Sequence, residues 1–106
     1  MKFVTVYVKV NTELNMELYE KLTTWFTKHG YVVYKDRKKK ITHVFTGNAI
    51  MVFGVHGLIF KGVDIYITTT VKQKQKVINQ LMNLLRKMGI DTNNQIITDE
   101  DYTIGQ

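Results

Sequence analysis

From Phe3 to Val10 the chain alternates, with Val4, Val6, Val8 and Val10 on one side and Phe3, Thr5, Tyr7 and Lys9 on the other. Such period-two alternation of β-branched residues predicts a half-buried strand. Asn11 or Thr12 can then cap a helix whose apolar positions Leu14, Leu18, Leu22, Trp25 and Phe26 share a face. Gly30 suits the position just past its end, where a left-handed backbone is wanted. Tyr31-Val32-Val33-Tyr34 reads as the next strand.

The pattern then recurs at an offset of 59 residues. Val4, Val6, Tyr7 and Val8 fall on Val63, Ile65, Tyr66 and Ile67, and Leu18, Leu22 and Phe26 fall on Val77, Leu81 and Leu85. Lys28-His29-Gly30 falls on Lys87-Met88-Gly89, so one offset aligns a strand face, a helix face and a capping glycine. Two strand–helix–strand halves in tandem predict an α+β chain, an antiparallel sheet with both helices on one face. That βαββαβ sandwich is the ferredoxin-like fold.

Between the halves, residues 41–60 are too apolar for a solvated loop. ITHVF, AIMVFGV and LIF read as short strands joined by glycine-containing turns, which extends the second strand into an inserted β-hairpin over about residues 37–60. Gln95-Ile96-Ile97-Thr98 reads as the last strand. The expected organisation is one domain over residues 1–98 and an acidic C-terminal tail over 99–106, where Tyr102 and Ile104 could dock.

Fifteen basic residues against nine acidic ones give a net charge of +6, unevenly spread. The last sixteen residues hold Asp91, Asp99, Glu100 and Asp101 and no base, which leaves the body at +10. A field of that sign favours phosphate-bearing or acidic partners, unless it serves solubility alone. The chain lacks cysteine, which excludes disulfides, thiolate metal sites and a cysteine nucleophile, and it lacks serine, which excludes a serine triad. Met1-Lys2 leads straight into a strand pattern, and no apolar run is long enough to span a membrane. A cytoplasmic protein with no membrane association is expected.

Strand parity places Tyr7 and Tyr66 on the face away from the helices, on two strands that are central and adjacent in this fold. Val6-Tyr7-Val8-Lys9 resembles the first-strand motif of RNA-recognition-motif domains, which stack bases on paired sheet aromatics. The third-strand motif of that family is matched in Lys61-Gly62-Val63-Asp64-Ile65-Tyr66 only at Lys-Gly and one tyrosine. The alternative is that residues 41–60 or a second subunit cover the tyrosines.

The second helix opens with Val71-Lys72-Gln73-Lys74-Gln75-Lys76, although helix N-termini favour acids. Glu13 and Glu17 obey that rule in the first helix. Lys72, Lys74 and Lys76, with the hydroxyls of Thr69 and Thr70 just ahead, suggest a phosphate site on the free N–H groups of the first turn. A solvated Lys/Gln face reads equally well there. Arg37, Lys38, Lys39 and Lys40 form a second basic run at the hairpin turn, which can follow a nucleic-acid backbone or stand in solvent.

Little suggests catalysis. His29, His43 and His56 have no metal-ligand spacing, Asp36, Asp64 and Asp91 form no local pair, and no phosphate-binding glycine loop is present. Neither a metal nor a cofactor is expected. The composition and motifs point to a non-enzymatic binding module for nucleic acid or a nucleotide. The competing expectation is an oligomeric regulatory factor, such as a phage- or plasmid-type inhibitor, that meets a protein partner through residues 49–60. A homo-oligomer, most simply a homodimer, is expected in either case.

Overall fold

The alternating segment Phe3–Asn11 is a strand, β1, with Val6, Val8 and Val10 fully buried on one side. Helix α1 (Asn15–Lys28) follows, then β2 (Val32–Asp36), β3 (Ile41–Phe45), β4 (Ala49–Val55), β5 (Gly62–Thr70), α2 (Lys74–Lys87) and β6 (Ile96–Ile104). The computed structural model describes residues 2–55 and 61–93, and the backbone alone of residues 96–104. The fold is α+β. Six antiparallel strands run in the order β2-β3-β4-β5-β1-β6, and both helices share a single core with one face of the sheet.

The offset of 59 carries β1 onto β5 and α1 onto α2 residue for residue. Both helices also stop alike. Gly30 and Gly89 have φ of 80° and 86°, and the next residue donates its N–H back five positions, Tyr31 to Phe26 O at 3.2 Å and Ile90 to Leu85 O at 3.0 Å. The starts differ from expectation. Asn11 ends β1, α1 begins only at Asn15, and Thr12 Oγ1 accepts the Leu14 N–H at 3.1 Å. Leu14 therefore precedes the first turn and is exposed, not part of the buried face.

The inserted segment is not an appendage. β4, not β2, pairs with β5, and β3 and β4 separate β2 from the sheet centre. The reason lies in burial. β4 places Ala49, Met51 and Phe53 in the core, whereas Val32 and Tyr34 of β2 are exposed. A short strand carrying Lys35 and Asp36 suits an edge, where unpaired backbone must be kept from further pairing.

The C-terminal boundary also moves. The last strand runs from Ile96 to Ile104, so Asp99 to Ile104, expected as a tail, pair with β1 from Tyr7↔Asp99 to Phe3↔Ile104. Pairing covers the backbone groups that β1 would otherwise leave open, and this outweighs the poor strand propensity of Asp and Glu.

Over β3 the core includes a polar chain. Thr42 Oγ1, fully buried, lies 2.8 Å from the Tyr19 hydroxyl and 3.1 Å from Thr23 Oγ1. Thr23 Oγ1 lies 2.9 Å from the Tyr19 carbonyl, so each of these buried oxygens has a partner.

Candidate nucleic-acid interface

Among the described residues, one face of the sheet carries no helix. Its registers align Tyr7, Tyr66, Val52, His43 and Tyr34 in a row across β1, β5, β4, β3 and β2. A neighbouring row adds Thr68, Ile50, Phe45 and Val32. Tyr66, Tyr34, Ile50, Phe45 and Val32 are 42% to 67% exposed. Such a contiguous apolar face is uncommon on a domain surface without a binding role.

At the centre of the sheet the Tyr7 and Tyr66 rings stack, with centroids 4.9 Å apart and planes inclined by 21°. Tyr66 is both the cross-strand partner of Tyr7 and its equivalent under the 59-residue shift. The two repeated units thus meet here about a local two-fold axis. The Tyr7 hydroxyl donates to Asp64 Oδ1 at 2.5 Å. Burial, reinforced by the Asp64 hydrogen bond and charge and by Tyr66, holds the Tyr7 phenol far above the usual tyrosine range. Tyr7 is thereby pinned as a protonated donor, while Tyr66 offers ring surface to solvent. Farther along the row, Tyr34 lies 5.8 Å from His43 in a tilted contact. Beside Tyr66, a depression of about 160 Å³ is lined by Ile41, Val52, Gly54 and Asp64.

The expected phosphate ligands do not gather in one place. α2 starts at Lys74, so Lys72 stands in the preceding turn; Lys72 and Lys76 are exposed and Lys74 is half-buried. Thr69 is not available to a ligand. It faces the core, is buried, and its Oγ1 donates to the Asn48 carbonyl at 2.5 Å. Thr70 Oγ1 accepts the Gln73 N–H at 3.3 Å, so it serves the turn. Gln73 Oε1 is buried without a hydrogen-bond partner, but a carbonyl oxygen does not attract an anion.

Arg37, Lys38, Lys39 and Lys40 are exposed in the β2–β3 turn, where Asp36 Oδ1 accepts the N–H groups of Lys38 and Lys39, both at 3.1 Å. The strand directions set this turn at the end of the sheet where β1 finishes. The start of α2 lies at the other end, with Val71 N–H donating to Lys2 O at 3.2 Å. A nine-residue strand separates such ends by roughly 30 Å.

The stretch expected to meet a protein partner is split by parity. Met51 and Phe53 are core, Ile50 is exposed on the open face, and residues 56–60, with His56, lie outside the described residues. β3 and β4 lie within the sheet and do not fold over Tyr7 and Tyr66. Among the described residues, no three His, Cys, Asp or Glu side chains come together as a metal site, and no helix is long and apolar enough to cross a membrane. No protein-family model and no curated protein matches the sequence.

Proposed function

We propose that the protein is a binding module for single-stranded nucleic acid, taken on the open sheet face of a ferredoxin-like fold that carries the inserted strands β3 and β4. One observation carries this reading: Tyr66, stacked on a pinned Tyr7 and 44% exposed, stands in a row that ends at Tyr34. Unpaired bases stack on such rings whatever their sequence. The separated lysines then act as two cationic ends of one track. Lys72 lies beyond one strand end of the sheet and Arg37 to Lys40 beyond the other, so that the aromatic row crosses between them and they contact phosphates on either side of the stacked bases. The binding needs no chemistry from the protein, and we read the chain as non-enzymatic.

The exposed apolar corner of Val32, Phe45 and Ile50 supports a second reading, a protein–protein contact that includes a homodimer formed through the same face. The two readings separate in one experiment. Labelled single-stranded DNA and RNA are titrated at about 50 and about 200 mM salt, where each phosphate neutralised contributes roughly 0.7 to the log–log slope. Tyr66→Ala weakens binding at both salts without changing that slope. Flat titrations beside a concentration-dependent solution mass would favour the protein contact.

A further inference from the structure

On the helix side of the sheet, opposite the aromatic row, α1 and α2 enclose a cleft. Trp25 and Phe26 of α1, Tyr31 beyond it, and Leu81 and Leu84 of α2 wall it over Met51 of β4. Its volume is about 550 Å³, within the range of small-molecule sites. Trp25 lies 6.1 Å from Tyr31 at 24°, and edge-on to Phe26 at 5.1 Å. His29 stacks on Trp25 at 3.9 Å and does not line the cleft.

The polar lining is selective. Among the described residues, Asn48, Gln80 and Asn83 are the side-chain amide residues lining the cleft, Lys87 is the one charged residue lining it, and no carboxylate residue lines it. Arg86 Nη1 donates to Asn83 Oδ1 at 2.8 Å, which leaves the Asn83 NH₂ as the donor to spare. Amides present donor and acceptor together, as the edge of a heterocyclic base requires. Aromatic walls suit a planar ring. Lys87 suits an anionic substituent, and among the described lining residues a cationic ligand would meet no counter-charge.

We propose that this cleft binds a planar heteroaromatic anion of mononucleotide size, at a site separate from the open sheet face. Trp25 is the chain's single tryptophan, so its emission reports occupancy directly. Titration of the full chain with AMP is expected to change that emission saturably. Adenosine binds up to roughly five-fold more weakly, since it lacks only the charge met by one exposed lysine, and inorganic phosphate alone has no effect. Lys87→Ala removes the difference between AMP and adenosine. Gln80→Phe, at an exposed position on α2, narrows the cleft and abolishes the response while circular dichroism stays unchanged. Tyr66→Ala leaves the AMP response intact. The proposal is overturned if AMP, GMP, CMP and UMP all give no saturable change up to roughly 10 mM. A response that survives Gln80→Phe with undiminished affinity overturns it equally, because the ligand then lies elsewhere.

Discussion

The β1–α1 and β5–α2 units share every boundary under one offset and yet begin their helices with opposite chemistry. α1 opens with Glu17 in its first turn, and Asn15 Oδ1 takes the Met16 N–H at 2.8 Å. α2 opens with Lys74 and Lys76, no acid and an orphaned Gln73 oxygen. What the units hold in common (alternating valines and isoleucines, a leucine-rich helix face, a closing glycine) is what the fold requires. What they do not share is free to serve something else. The tyrosine pair is the exception that joins both categories, because the local two-fold axis stacks the two equivalent residues on each other.

The largest effect is expected where the units differ in backbone contact. Gly62 is the counterpart of Phe3, and a Cβ there would stand 2.4 Å from Val10 O. Gly62→Ala must spread β1 from β5 and should cost about 3 kcal/mol, read as a fall in the urea midpoint. Phe3→Ala, at a 39% exposed position, should cost far less. Next come the shared caps. Gly30→Ala and Gly89→Ala place a side chain at positive φ with no steric neighbour, so both should cost about 1–2 kcal/mol and by similar amounts. Unequal losses would show that the repeat is not energetically symmetric.

Charge reversal sharpens the contrast at the helix starts. Lys76→Glu should stabilise the protein by about 0.3–1 kcal/mol in thermal unfolding at low salt, and Glu17→Lys should destabilise it by a similar amount. If the α2 lysines serve nucleic acid, Lys76→Glu raises stability and weakens oligonucleotide binding together. The smallest effect concerns Tyr7. Its phenol titrates higher in the folded chain than in the unfolded one, so its contribution is present in full below the ordinary tyrosine range and is lost as pH climbs beyond it. Wild-type protein should therefore lose stability between about pH 10 and 12 more steeply than Tyr7→Phe in urea titrations.

Much of this was legible in the residues themselves. The offset located both helices and both central strands, because a valine alternation and a helical leucine face are local patterns. Parity brought Tyr7 and Tyr66 to the helix-free face. The same rule, carried to the end of the second unit's strand, sets Thr69 with Val63, Ile65 and Ile67 on the core side, and that signal against a phosphate role was missed. It likewise sets His43, Ile50 and Val52 beside the tyrosines once the inserted strands are paired. That pairing was not legible. Periodicity says which face a residue takes, not which strand lies alongside, so β4 in place of β2 next to β5 depends on long-range burial. The distance between the two lysine clusters follows from strand direction, and the cleft between the helices from their spacing, neither of which a local pattern encodes.

The most direct test of the sheet face as a nucleic-acid platform is fluorescence anisotropy of a labelled single-stranded oligonucleotide with wild-type protein and with Tyr66→Ala. Binding by the wild type that weakens roughly ten-fold or more in Tyr66→Ala, as the loss of one stacked base implies, with the fold intact by circular dichroism, is the predicted result. Equal binding by both proteins, or none by either at micromolar concentration, would contradict it.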